Sequence, residues 1–187
     1  SLRVGVEGEG WRLAKVTLAN ERVRLSAAGS LWGRGPSAED LLNVVRSNGG
    51  CADPVMRQEL AGLKCEAEVL RLNRLRTLTA QLAGRTPGPE ASVQKAMSDD
   101  HGQRVMALAK ACAGTDGMLA GSGPGGQSFD WHFGFLFSPA LTIGGGTFAI
   151  QRNIVAEKVL GLPRDHNVED GLSWRETHLG KAGRNAF

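Results

Sequence analysis

Residues 143–164 constrain the fold most strongly, because a run of glycines leads directly into an amphipathic segment. The three glycines at 144–146 let the main chain approach a flat or anionic group closely, and Thr147 adds a hydroxyl group that suits a helix cap. The pattern is typical of a ligand-binding turn, but also of a simple connection. The next apolar residues have helical spacing and predict a buried stripe on a helix that begins near Phe148: Ile150, Ile154, Val155 and Val159.

The rest of the sequence has the pattern of packed helices. Alanine, leucine and glycine are plentiful and there is no tyrosine, which favours helices over a twisted sheet. A helix over residues 11–28 has apolar side chains on two faces, which predicts burial on both sides. Asp53 and Pro54 start a long helix whose leucines keep a near-heptad rhythm as far as residue 83: Leu60, Leu63, Leu70, Leu75, Leu78 and Leu82. A helix over residues 90–113 should pack antiparallel to it.

These elements predict an all-α fold, an antiparallel four-helix-type bundle. The bundle is expected over residues 11–164. Residues 1–10 alternate like the end of a strand and continue into a glycine hinge, and residues 165–187 form a polar tail without apolar periodicity.

Charge and cysteine usage limit the function classes. The net charge of +3 is mild, and basic residues are interspersed with acidic ones, so nucleic-acid binding is not expected. Cys51, Cys65 and Cys112 have no Cys-x-x-Cys pair or neighbouring histidine cluster, so we expect reduced thiols and no metal site. No leader or membrane-spanning run is evident, and we expect a soluble, cytoplasmic protein without membrane contact.

The string over residues 143–164 resembles the signature near the C-terminus of flavin-dependent acyl-CoA dehydrogenases, Gly-Gly-Thr-x-x-Ile-Gln-Arg-Asn-Ile-x-Ala-Glu-x-Val-Leu-Gly-Leu-Pro-Arg. The resemblance covers nearly all of residues 1–164, corresponding to the last strand of the family's middle domain and its C-terminal helical domain. It implies FAD as cofactor, an acyl-CoA substrate, electron-transfer flavoprotein as electron acceptor, and assembly with identical chains or a paralogous dehydrogenase subunit. The implied reaction is α,β-desaturation of the thioester.

The resemblance also implies a catalytic base at one of two positions. The first position, just before the Gly-Thr of the signature, is Gly145, which has no side chain to abstract a proton. The second lies in the stretch Leu18-Ala19-Asn20-Glu21-Arg22 on the first helix. It places Glu21 as general base and Arg22 as the residue that holds the carboxylate and thioester region. Spacing alone favours a surface glutamate paired with Lys15 or Arg24.

For the flavin, the resemblance implies contacts from Thr147, Phe148 and Ala149, with Gly146 next to the thioester. The alternative is a helix start that Thr147 merely caps. Trp131 and His132 belong to an aromatic cluster that either lines an acyl pocket or forms plain core. His101 is interpreted as a solvated side chain.

Two departures from the family pattern leave another function class open. The usual Arg-x-x-Phe-Gly stretch is replaced by Arg46-Ser47-Asn48-Gly49-Gly50, and Ala111 stands nearest to a common glutamine. A non-catalytic subunit or oligomerisation module of a heteromeric dehydrogenase is therefore the main alternative, and nitroalkane oxidation or flavin hydroxylation is a second. Because much of the flavin and acyl-CoA site belongs to other domains, we expect little turnover from these 187 residues alone. Glycine at 145 is compatible with a bulky, branched or steroid-derived acyl group.

Overall fold

The computed structural model describes residues 3–25, 30–85, 88–118, 127–164, 169 and 171–177. Regular structure in this part of the chain is helical, and the only bridge between extended residues there is the isolated pair Leu31 and Arg34. The all-α prediction is confirmed. The α-helices are α1 (Gly10–Leu25), α2 (Ala38–Ser47), α3 (Pro54–Leu82), α4 (Ala91–Ala113), α5 (Gln127–Phe137) and α6 (Phe148–Ile154). Two 3-10 segments (Gly114–Met118 and Ser138–Thr142) and a π-helical turn (Val155–Val159) complete them.

Side-chain caps fix the starts of α2 and α3. The Ser37 hydroxyl accepts a hydrogen bond from the Asp40 N–H (3.2 Å), and the Asp40 carboxylate accepts one from the Ser37 N–H (2.8 Å). The Ser37 hydroxyl also donates to Asp40, and these bonds lower the pKa of Asp40. At α3, the Asp53 carboxylate accepts from the Val55 N–H at 2.9 Å, with Pro54 in the first helical position as predicted.

Helices α3 and α4 pack antiparallel. Near the start of α4, the Gln94 amide donates to the Leu70 carbonyl in the middle of α3 (3.3 Å). At the end of α4, the Cys112 thiol lies 3.3 Å from the Met56 sulfur near the start of α3. Successive residues of α4 therefore meet successively earlier residues of α3, as the sequence predicted.

The hydrophobic core lies where α4 meets α2, α3 and the 3-10 segment before the glycine loop. These residues leave at most 7% of their surface exposed, and removing them from water supplies the main stabilisation of the bundle. The core includes Leu31, Ala38, Leu41, Leu60, Leu63, Val105, Met106, Leu108, Ala109 and Leu141.

The near-heptad row of leucines is buried as far as Leu70, near the middle of α3. The last three leucines of the row are 42–82% exposed: Leu75, Leu78 and Leu82. The start of α4 lies along a different face of α3, which carries Asn73, Thr77 and Ala80. A sequence with two apolar faces does not say which face the neighbouring helix covers.

The predicted two-sided burial of α1 is wrong for its described side chains. Trp11, Val16 and Leu18 are all exposed, while the helix packs against α4. Residues 3–9 form bends and turns, since a strand needs a neighbouring strand to pair with. The assignment of residues 1–10, 11–164 and 165–187 to separate units stays a prediction.

Candidate functional site

The glycine run forms a tight loop between the 3-10 segment Ser138–Thr142 and α6. Gly145 and Gly146 have φ angles of +67° and +95°, in the left-handed region that favours glycine. The Thr147 hydroxyl accepts a hydrogen bond from the Ile150 N–H at 3.3 Å and caps α6. The predicted cap and the helix start near Phe148 are confirmed.

Gln151 holds this loop from inside. Its side chain is fully buried, and its amide Nε2 donates to the carbonyl oxygens of Gly145 (3.0 Å) and Gly146 (3.2 Å). Within the part of the chain that the structure describes, the side-chain oxygen of Gln151 is buried without a hydrogen-bond partner. A Cβ atom added at Gly146 would lie 2.7 Å from the Gln151 amide nitrogen. The two hydrogen bonds from Gln151, called the Gln151 clamp below, therefore require a glycine at position 146.

Trp32 supports the loop from a second direction. A Cβ atom added at Gly144 would lie 2.5 Å from the indole Cη2 of Trp32, which shows how closely the main chain approaches the ring. Trp32 has a φ of +52° and packs edge-on against Phe137, with ring centroids 5.5 Å apart. Gly144 is therefore needed because its missing side chain leaves room for the indole.

A buried ion pair on α4 lies next to the 3-10 segment that precedes the glycine loop. Lys95 and Asp99 are one helical turn apart on α4, form a salt bridge, and expose 0% and 1% of their side chains. The Lys95 ammonium also donates to the Leu141 carbonyl at 3.1 Å, which ties α4 to the 3-10 segment. Burial raises the pKa of Asp99, and its hydrogen bond and charge interaction with Lys95 oppose that rise.

Sequence reasoning missed the side chains that support the loop. The i, i+4 spacing of Lys95 and Asp99 was a usable signal, but the same spacing is common on solvated helices. Gln151 is part of the family signature, yet it is the buried residue on α6 where an apolar stripe was expected to be buried. The predicted apolar stripe is wrong at Ile150 and Val159, which are 51% and 41% exposed, because the loop carbonyls draw the amide side chain inward.

The predicted site residues of the loop, Gly146 to Ala149, are close together, whereas Glu21 and Arg22 belong to α1. Glu21 is exposed on α1, and no ion pair joins it to Lys15 in the described part of the chain. The Arg22 side chain lies outside the described residues. The proximity of Glu21 to Gly145 and the roles of both α1 residues therefore stay predictions.

The predicted flavin contacts lie at the start of α6. Phe148 is half-buried, and the Arg152 guanidinium lies 4.7 Å from the centre of its ring. Ala149 is exposed. Phe148 and Arg152 also line an open groove of about 640 Å³ between α6 and the first half of α4.

A separate cavity of about 440 Å³ lies between α2, the start of α3 and the end of α4. Trp131 and His132 of α5 line it, and His132 Nδ1 is 2.8 Å from the Lys110 ammonium. The 3-10 segment at Gly114–Met118 borders this cavity, and residues 119–126 lie outside the described part. The aromatic cluster itself is helical, as α5.

His101 is not the solvated side chain that was expected. It is 7% exposed, and its Nδ1 lies 3.2 Å from the Glu66 carboxylate, which Arg104 also contacts. Burial tends to raise the pKa of Glu66, but hydrogen bonds from Arg104 and His101 outweigh it and leave that pKa below its ordinary value. The three residues link α3 to α4.

Comparison with known sequences decides the family. The family model for "Acyl-CoA dehydrogenase, C-terminal domain" matches residues 8–160. The chain belongs to the acyl-CoA dehydrogenase family. This acyl-CoA dehydrogenase domain is 34% identical over 164 residues to acyl-CoA dehydrogenase IpdE1 of Mycobacterium tuberculosis, covering 88% of the chain and 41% of that relative. It is 32% identical to acyl-CoA dehydrogenase FadE34 of the same organism, covering 86% of the chain and 21% of FadE34.

Solved structures give the same assignment. The Tcur3481-Tcur3483 steroid ACAD superposes with a TM-score of 0.72 at 26% identity, covering 87% of this acyl-CoA dehydrogenase domain and 42% of that chain. The ChsE4-ChsE5 complex from Mycobacterium tuberculosis gives 0.64 at 29% identity, covering 88% and 43%. The domain thus spans less than half the length of these relatives. No helix in its described residues is long and apolar enough to cross a membrane.

Proposed function

We propose that this domain belongs to an FAD-dependent acyl-CoA dehydrogenase in which Glu21 is the general base for α,β-desaturation of an acyl-CoA thioester. The observation that supports this proposal is the family match over residues 8–160, which includes both Glu21 and the glycine loop. Gly145 has no acid side chain to offer, whereas Glu21 is exposed and available on α1. A general base of this kind contributes roughly 10²- to 10⁴-fold to a rate.

In the proposed reaction, the Glu21 carboxylate takes the proton from the α carbon. The electrons of that C–H bond form the double bond as hydrogen leaves the β carbon with its electron pair. FAD, when bound, supplies the hydride acceptor, and electron-transfer flavoprotein would receive the electrons afterwards. Arg22 would hold the carboxylate and thioester in place, and the product is the enoyl-CoA.

The start of α6 fits a flat cofactor. Gly145 and Gly146 have no side chains, so a flat group can approach the main chain there. The Thr147 hydroxyl accepts a hydrogen bond from the Ile150 N–H and can still donate its own proton to a ligand. We propose that Thr147, Phe148 and Ala149 contact FAD and that Gly146 lies beside the thioester.

The decisive experiment compares Glu21→Gln with wild type in the full-length enzyme. Rapid anaerobic mixing with acyl-CoA measures flavin reduction, and we expect the rate to fall by at least about 100-fold, because glutamine cannot accept the proton. Glu59→Gln is the matched control, since Glu59 is an exposed glutamate on α3. Equal rates for all three proteins would refute the role of Glu21.

We also propose that the acyl group is bulky or branched, because glycine at 145 leaves space beside the thioester. The similarity to a structure named as a steroid ACAD supports this class. The ratio kcat/KM should be higher for a steroid side-chain CoA thioester than for octanoyl-CoA. A preference for the straight chain would contradict the proposal.

A second function, that of a non-catalytic subunit in a heteromeric dehydrogenase, is favoured by exposed apolar rows. Leu72, Leu75 and Leu82 on α3 are 42–82% exposed, and such rows are typical of interaction surfaces. Arg46 in the stretch that replaces the family's arginine motif is exposed at the end of α2. One solved relative is itself a complex of two named chains, ChsE4 and ChsE5.

Assembly and catalysis can be separated in the full-length protein. Leu75→Glu with Leu82→Glu should dissociate an assembly that uses this face, as measured by sedimentation velocity. Should Glu21→Gln leave both assembly and flavin reduction intact, the subunit function is supported and the catalytic one fails.

A further inference from the structure

We propose that Gln151 is a positioning residue that fixes the glycine loop for the reaction, an inference that rests on the proposed function. A single buried amide donates to two successive carbonyls, those of Gly145 and Gly146. Only the nitrogen end of the amide can face two carbonyl oxygens, so the orientation of the side chain is fixed.

The clamp sets the direction of the loop's peptide groups. In a planar trans peptide the C=O and the N–H point in opposite directions, so the N–H that shares a peptide with each of these two carbonyls points away from Gln151. These are the N–H groups of Gly146 and Thr147, and no backbone carbonyl in the described part of the chain accepts a hydrogen bond from them. The loop therefore keeps its donors on the side where Gly146 is proposed to meet the thioester.

The buried amide carries a stability cost that its two hydrogen bonds to the loop must offset. The Gln151 side-chain oxygen is fully buried and has no hydrogen-bond partner among the described residues, and a buried unpaired acceptor destabilises a fold. Methionine would fill a similar volume without burying that oxygen, but it would leave the carbonyls of Gly145 and Gly146 without this donor. The polar side chain at this position is best explained by the two hydrogen bonds it donates to the loop.

The test uses Gln151→Met, and Gln103→Met as the matched control. Gln103 is a half-buried glutamine of α4 that donates to the Ser138 carbonyl and the Thr142 hydroxyl, both at 3.2 Å, just before the loop. In the full-length enzyme, amide hydrogen exchange of peptides covering 143–150 should rise in Gln151→Met and stay at the wild-type level in the control. The kcat for acyl-CoA oxidation should fall by roughly 10- to 100-fold with little change in KM, because the loop is misplaced rather than the binding site lost.

A second variant guards against a folding defect. Gln151→Glu keeps the shape, but its ionised carboxylate cannot donate, whereas its protonated form can donate to one carbonyl. Activity relative to wild type should therefore recover as the pH is lowered.

Unchanged exchange in Gln151→Met, a kcat loss no larger than in the control, or a pH-independent defect in Gln151→Glu would each overturn the role of Gln151. If wild-type enzyme oxidises no acyl-CoA, the proposed function and the catalytic part of this inference fail together. The exchange comparison still decides whether Gln151 fixes the loop.

Discussion

Replacing Lys95 with methionine should be among the most damaging single changes to this domain. The substitution keeps the length of the side chain but leaves Asp99 without its ion-pair partner at a site that is 1% exposed. Removing one member of a buried pair typically costs about 3–5 kcal/mol, because the remaining charge is uncompensated. The Leu141 carbonyl also loses the donor that reaches it at 3.1 Å, so we expect the upper part of this range.

Urea unfolding of the chain, followed by circular dichroism, measures this loss. Lys64→Met is the control, since Lys64 and Glu39 form an exposed pair for which we expect at most about 1 kcal/mol. The double variant Lys95→Met with Asp99→Leu removes both charges and should be more stable than Lys95→Met alone. A Lys95→Met cost as small as that of the control, or a double variant less stable than the single one, would refute the reasoning.

Two further changes test the loop support and the link between helices. Gly144→Ala places a methyl group 2.5 Å from Trp32 and should lower the free energy of unfolding by about 1–3 kcal/mol. The control Gly62→Ala has open space around it and should raise the free energy of unfolding by about 0.5–1 kcal/mol, so equal melting shifts for the two variants would contradict this account. Because the pKa of Glu66 is lowered in the folded state, Glu66→Gln should cost about 1 kcal/mol at neutral pH, and urea titrations should show this cost shrinking below pH 4.5.

The sequence predicted elements whose signals are local. The caps at Asp53 and Thr147 depend on one side chain and a backbone N–H a few residues away, so residue type and spacing suffice to predict them. The antiparallel pairing of α3 and α4 follows from a short connection between two long helices.

Errors arose where burial depends on surfaces that helical spacing does not identify. The last three leucines of the α3 row, together with Ile150 and Val159, have the same spacing as core residues, yet they are exposed here. The Lys95 and Asp99 pair and the Gln151 clamp depend on backbone carbonyls that only the folded loop brings near. Such contacts leave no distinctive residue pattern in the chain.

A crystal structure of the full-length enzyme with a bound saturated acyl-CoA would test the central claim most directly. The account predicts that the Glu21 carboxylate lies within about 4 Å of the α carbon of the thioester, in a cavity that Gly145 also lines. A Glu21 carboxylate in bulk solvent, with a different acid beside the α carbon, would contradict the assignment of the base.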